Sequence, residues 1–194
     1  MRFTFRCLDA QADALLLHGW VTRPYASFWG MLSASVADVA EEYAGIQSSG
    51  HHHALLGLDG GVPAFLVEEY LPSLSPLAAT YAVRPGDVGM HLLVAPPSSG
   101  PEHGYTTAVM DAVLARLFSR PEVERVVVEP DVRNTRIHAL NERLGFQPAG
   151  MVALPDKEAL LSFCTRSGYL AARSLLPPAR PRPATPISIP EGAL

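Results

Sequence analysis

The sequence predicts a single-domain α/β fold built on one mixed sheet. Three observations carry this. Asp59-Gly60-Gly61 joins two strand-like runs, and a turn of that kind needs positive φ, the mark of a tight hairpin. Between Val88 and Glu129 the chain reads strand, loop, helix, strand, which implies a right-handed parallel crossover. A second pair of strand-like runs follows across Pro155-Asp156. Antiparallel hairpins flanking a parallel crossover make a mixed sheet rather than a doubly wound one.

Each element has its own signal. Arg2–Leu8 alternates polar and apolar residues with period two, as a strand does. Ala12–Trp20 is apolar and helical, Pro24 interrupts it, and Phe28 and Trp29 open a further short segment. In Val36–Ile46 the residues Val36, Val39, Ala40, Tyr43 and Ile46 recur at helical spacing, with Asp38, Glu41 and Glu42 opposite. His52–Leu58 and Val62–Tyr70 are the arms of the hairpin, and a Pro- and Ser-rich loop runs from Leu71 to Leu77. Val88–Ala95 reads as a buried strand and Pro96–Gly104 as a loop. Tyr105–Phe118 is a helix with Val109, Ala112, Val113 and Leu117 inward. Arg125–Glu129 holds Val126, Val127 and Val128, the β-branched run of an interior strand. Asn134–Leu144 is a helix closed by Gly145. Phe146–Val152 and Lys157–Thr165 are the last strands, and Arg166–Leu176 is a closing helix. The expected domain is therefore 1–176. From 177 to 194 Pro recurs every few residues, and that composition reads as a disordered tail.

Composition excludes several classes. Hydrophobic residues make up 48% of the 194, enough for a real core, and the net charge of −4 comes without any basic stripe, so no nucleic-acid partner is expected. Cys7 and Cys164 are too few for a disulfide framework, and no Cys-x-x-Cys pair suggests a zinc ribbon. MRFTFRCLDA lacks the apolar segment of a signal peptide, and no run of about 18 apolar residues suggests a membrane span. The expected location is the cytoplasm, without membrane association.

Two segments carry chemistry. The loop SSGPEHGYT presents backbone N–H groups at the start of a helix, where the helix dipole also favours an anion, and Gly100 and Gly104 allow close approach of a ligand. It is not a Walker loop, because no Gly-Lys-Ser/Thr follows. In EPDVRNTRIHALNERLGF, Asp131 stands at the end of a parallel strand, where open α/β sheets bind ligands. Asn134 and Asn141 are seven apart and share one side of a helix. Asn134 also suits a helix N-cap, and Asn141 an ordinary surface amide. His51, His52 and His53 form a triplet, but strand alternation sends neighbours to opposite faces, so no metal is expected.

GMHLLVAPPSSGPEHGYTTAVMDAVLARLF and VVVEPDVRNTRIHALNERLGF together resemble the acyl-CoA-binding core of the Gcn5-related N-acetyltransferases. With HGWVTRPYASFW and ALLSFC, the resemblance spans residues 15 to 170 and is strongest to the siderophore-biosynthesis branch. That branch acylates hydroxylamines or lysine-type amines in the aerobactin, alcaligin, rhizobactin, desferrioxamine and mycobactin pathways, and the desferrioxamine type is the most similar.

The resemblance implies a sheet whose central parallel pair splays apart, with acyl-CoA lying in the gap. Leu92, Leu93 and Val94 would offer backbone contacts to pantetheine. The loop with Ser99, Gly100, Gly104, Tyr105 and Thr106 would hold the pyrophosphate, and Asn134 would contact pantetheine. Glu102 stands where the family has a middle glycine. Asn141 occupies the place of a tyrosine that protonates the leaving thiolate; an amide donates a hydrogen bond but delivers no proton. His91 and Asp131 match the branch's catalytic His and Asp, and would hold the acceptor and take its proton. Trp20 and Trp29 would wall the acceptor pocket or pack in the core.

The implied reaction moves an acetyl or succinyl group from acetyl-CoA or succinyl-CoA to an N-hydroxylated diamine or lysine-type amine, a small-molecule partner, in a monomer or weak homodimer. Two rival readings stay open. One is an aminoglycoside 6′-N-acetyltransferase, for which Glu68-Glu69 is the nearby acidic pair. The other is a non-catalytic acyl-CoA-binding module.

Overall fold

The computed structural model describes residues 2–96, 100 and 102–176. Ser99 and the Pro-rich segment 177–194 lie outside the described residues.

Seven strands form one sheet in the order β1-β2-β3-β4-β5-β7-β6. They are β1 (Phe3–Cys7), β2 (His52–Asp59), β3 (Val62–Tyr70), β4 (Asp87–Val94), β5 (Arg125–Val128), β6 (Gln147–Ala153) and β7 (Glu158–Thr165). Only β4 and β5 pair in parallel; the other neighbours are antiparallel. Gly60 and Gly61 both take positive φ, 60° and 86°, which is what the two-residue turn between β2 and β3 requires.

Five helices cover the sheet: α1 (Ala14–Val21), α2 (Val36–Ser48), α3 (Tyr105–Phe118), α4 (Thr135–Arg143) and α5 (Arg166–Arg173). The apolar stripes decide which face each one covers. Leu17, Trp20 and Val21 of α1 and Val39, Tyr43 and Ile46 of α2 pack with Leu56, Leu66 and Leu93. On the other face Val109, Met110, Val113 and Leu117 of α3 and Tyr169 of α5 pack with Phe65, Val67, Val126 and Val128, joined by Ile137 and Leu140 of α4. Alternation along β4 therefore sends His91 and Leu93 toward the α1–α2 layer and Met90, Leu92 and Val94 toward α3. Three short 3-10 segments, Pro24–Trp29, Pro72–Leu74 and Pro76–Ala79, fill stretches that the sequence marks only as breaks and loop.

The parallel pair is short. Its register runs only from Asp87↔Arg125 to Gly89↔Val127. Beyond that point β4 continues along β3 as far as Val94↔Phe65. The chain leaving β5 follows β7 instead: Leu160 N–H donates to Pro130 C=O, Asp131 bridges Ala159, and Val132 N–H donates to Glu158 C=O. The two central strands thus part after Gly89, and no strand among the described residues pairs with that edge of β4. Arg125 holds the closed end, its guanidinium donating twice to Asp87 at 2.7 Å.

Candidate active site

The splay opens a cleft of about 1090 Å³. Met90 to Ala95 of β4 form one wall, with Val128, Glu129 and Pro130 facing them. Toward α3 the lining includes Gly100, Tyr105 and Thr106; toward α4 it includes Asn134, Ile137 and Asn141. Leu16, Trp20, Tyr25, Phe28 and Trp29 close the other end. A long, mostly apolar channel with polar groups at a few places suits a molecule with an anionic head and a thin amide-bearing arm.

Most of the residues expected to hold acyl-CoA meet in this cleft: Leu92, Leu93, Val94, Gly100, Tyr105, Thr106, Asn134 and Asn141. Gly104 stands outside the lining and takes φ 81° as the N-cap of α3. The side chain of Asn134 makes no capping bond, so it does not serve as the cap that its position suggests. Asn141 is not a surface amide: it is buried, and its Oδ1 has no partner inside the protein. A buried carboxamide oxygen without a donor is costly unless a ligand supplies one. Glu102, the departure from glycine, donates no loose charge to the anion loop. Its carboxylate receives two 2.8 Å hydrogen bonds from Arg2, which also holds Asp59 and lies over the Tyr105 ring.

His91 projects from β4 into the cleft between two carboxylates. Its Nδ1 lies 2.9 Å from Glu68 Oε2 and its Nε2 2.6 Å from Glu129 Oε1. Antiparallel register places Glu68 opposite His91, and Glu129 follows the last residue of β5 across the gap. Each carboxylate has further donors. Tyr70 donates to Glu129 Oε2 at 2.8 Å, Tyr43 donates to Glu68 Oε1 at 3.1 Å, and Trp29 Nε1–H donates to the Tyr43 hydroxyl at 3.2 Å. Lys157 Nζ approaches Glu129 at 3.7 Å.

Burial disfavours the imidazolium of His91, but the charge and hydrogen bond of Glu129, seconded by Glu68, outweigh it and push the pKa up to about 10. Burial would raise Glu68, yet His52 and His91 hold it down at about 2; Glu129 is also lowered, by His91 first and then Lys157 and Tyr70. At neutral pH the three groups are an imidazolium donating both N–H groups to two carboxylates. His91 in this state is a cation that orients Glu129, not a free base.

Asp131 is not brought to His91. Its carboxylate accepts from the backbone N–H and Nε of Arg133 at 2.8 Å and from Nη2 at 2.5 Å, and it is absent from the cleft lining. Those bonds lower its pKa to about 2. The strand-end carboxylate that faces His91 is Glu129, two residues earlier. Sequence marks Glu68 only as half of an acidic pair for the aminoglycoside reading and gives Tyr43 and Tyr70 no site role; the available signal is a lone His and a carboxylate in neighbouring apolar strands. Gly89 belongs to this arrangement too, since a Cβ there would fall 2.2 Å from the Tyr70 ring. Trp20 packs in the α1–α2 core while also lining the cleft, and Trp29 presents its edge to His91 with ring centroids 6.2 Å apart.

A splayed parallel pair with an anion-ready helix start on one side and an aromatic pocket on the other defines a transferase that brings an acyl donor to a small acceptor. Residues 9–154 match the family model described as Acetyltransferase (GNAT) domain, and the chain belongs to that family. It is an acyl-CoA-dependent N-acyltransferase acting on amines, with acetyl-CoA as the kind of donor the family uses. Among its relatives is the N-hydroxyputrescine acetyltransferase of Acinetobacter baumannii, 25% identical, with 86% of this chain and 79% of the relative covered. An uncharacterised protein of Bacillus halodurans superposes with a TM-score of 0.82 at 27% identity, covering 89% of this chain and 88% of that one. The aminoglycoside acetyltransferase AAC(6')-Ib, solved with ribostamycin and coenzyme A, superposes with a TM-score of 0.78 at 25% identity, covering 91% and 100%. No helix among the described residues is long and apolar enough to cross a membrane.

Proposed function

We propose that the enzyme transfers an acetyl or succinyl group from the CoA thioester to the nitrogen of a small N-hydroxylated amine, a diamine or a lysine-type side chain, as a step of hydroxamate siderophore biosynthesis. The observation that carries this reading is the compensated charge at the acceptor end of the cleft. Glu68 and Glu129 are both committed to His91, with Lys157 beside Glu129, and the walls are aromatic. Arg136 also lines the cleft, and the Arg133 guanidinium lies 5.8 Å from the centroid of the Phe28 ring. Such a pocket suits an acceptor with an apolar chain and a nitrogen that is neutral at pH 7. A hydroxylamine is less basic than an alkyl amine and meets that condition. The name of the Acinetobacter relative points the same way.

In this reading the acceptor nitrogen attacks the thioester carbonyl directly, and a backbone N–H on the open edge of β4 polarises that carbonyl. Glu129, held in place by His91 and Tyr70, accepts the acceptor's N–H and takes its proton as the C–N bond forms. The C–S bond then breaks, Asn141 steadies the thiolate by hydrogen bonding, and water protonates it. Asp131 holds Arg133 near Phe28, which lines the cleft. Cys164 is buried, with its thiol pKa pushed up to about 12 by burial, which suits a path without an acyl-enzyme.

The second reading, an aminoglycoside 6′-N-acetyltransferase, is favoured by the likeness to AAC(6')-Ib. Steady-state release of free thiol with N-hydroxycadaverine, cadaverine and kanamycin separates the two. The expected order puts N-hydroxycadaverine ahead in kcat/KM by roughly tenfold or more; kanamycin in first place supports the second reading.

A further inference from the structure

His52 is the member of the histidine triplet that turns inward, toward the Glu68 carboxylate. Its Nε2 is shut off from solvent and makes no hydrogen bond, yet it sits 3.4 Å from Glu68 Oε2. The same carboxylate oxygen is 2.9 Å from His91 Nδ1. One donor atom from each of His52, Glu68 and His91 lies within 4.8 Å of the other two. Around a tetrahedral ion with bonds of about 2.0–2.1 Å, donors stand roughly 3.3 Å apart, a spacing that Glu68 Oε2 nearly has to each imidazole, at 3.4 and 2.9 Å.

The outer contacts are those of a metal centre. The other nitrogen of His91 is held by Glu129, itself bonded to Tyr70, and the other oxygen of Glu68 is held by Tyr43. A carboxylate on the far side of a ligating imidazole fixes the ring and makes it a better ligand. His52 also borders a second cavity, of about 450 Å³, which it lines with His51, Asp38, Glu41 and Glu42. A carboxylate-lined cavity concentrates cations.

We propose that His52, Glu68 and His91 form a binding site for a divalent transition-metal ion, with zinc the best match, and that the ion inhibits acyl transfer. Two imidazoles and one carboxylate leave a fourth position for water. The proton on His91 Nδ1 departs to solvent as the ion binds, and charge balances against Glu68 and Glu129. His91 also faces the acceptor end of the main cleft, so the ion fixes a residue the acceptor must meet and raises the acceptor's KM. The inference does not depend on which amine is the substrate.

The test is calorimetric titration of the metal-stripped full chain with Zn²⁺, alongside the visible spectrum with Co²⁺. The expected result is one ion per chain, a tetrahedral Co²⁺ spectrum, and a loss of affinity of roughly tenfold or more in His52→Ala. His53→Ala, altered at an exposed neighbour on the opposite face of β2, is expected to bind as the wild type does. Zn²⁺ is expected to inhibit the wild type, and His52→Ala to turn over without responding to it. Equal Zn²⁺ affinity in wild type and His52→Ala overturns the proposal. So does an equal loss in His53→Ala, or binding no tighter than millimolar.

Discussion

His91 and Glu129 meet across the point where β4 and β5 separate, Nε2 to Oε1 at 2.6 Å. The backbone pairing of the two strands has ended two residues earlier on β4, at Gly89. A side-chain contact therefore spans the gap that the ladder leaves, on the wall of the cleft. The proposed active centre lies where the sheet fails to close.

Glu129→Gln keeps the shape of the side chain and removes its capacity to take a proton. The expected result is a fall in kcat of about 100-fold with the acetyl-CoA KM unchanged, because general-base catalysis is worth that much and the donor binds elsewhere in the cleft. Asp131→Asn, altered at a carboxylate turned toward Arg133, is expected to cost far less. Steady-state kinetics on both variants decides the matter, and equal losses count against the assignment of Glu129.

Tyr70 reaches Glu129 only because residue 89 has no side chain. Gly89→Ala drives a Cβ against the Tyr70 ring. Overpacking of that kind costs about 1–3 kcal/mol. Urea unfolding is expected to show this loss, and turnover to fall with it. Tyr70→Phe leaves the space intact and withdraws the hydrogen bond to Glu129, so it is expected to lower kcat with a smaller effect on stability.

The closed end of the splay makes its own prediction. Burial tends to raise the pKa of Asp87, but Arg125, the Arg84 N–H and Tyr81 together hold it below the ordinary aspartate range. A carboxylate with a depressed folded-state pKa contributes stability that is present above its unfolded value and is lost as pH falls through the folded value. The stability difference between wild type and Asp87→Asn is therefore expected to be full above about pH 5 and to shrink on acidification. Urea unfolding at a series of pH values measures it; a difference that does not vary with pH contradicts the clamp.

Asn141→Ala removes an amide whose Oδ1 has no partner within the protein. Its loss is expected to leave thermal stability nearly unchanged while raising the acetyl-CoA KM by roughly tenfold. Thermal unfolding without ligand and kinetics with varied acetyl-CoA measure the two effects separately.

Local chemistry made much of the fold legible. Val62–Tyr70 and Tyr105–Phe118 run as strand and helix between the residues expected, because a glycine turn and an apolar stripe mark them directly. The 3-10 segments were not legible, since three- to six-residue helices carry too short a period to register. Short spacing was legible, as at Asn134 just before α4 and Asn141 on it, which both line the cleft. The site was not legible where distant strands supply the partners: Tyr70 and Glu129 are 59 residues apart, and Glu68 and His91 are 23. The pairing of His91 with Asp131 is what the family resemblance implies, with a His on the fourth strand and an Asp just after the fifth. The strand stops at Val128, however, and Arg133 captures Asp131 two residues on.

The central claim is acyl transfer from CoA to the nitrogen of an N-hydroxylated amine. It is tested most directly by measuring both products of one reaction with acetyl-CoA and N-hydroxycadaverine: free CoA thiol, and hydroxamate through its ferric complex. The account predicts one hydroxamate formed for each thiol released. Thiol released without hydroxamate, or no thiol released at all, contradicts it.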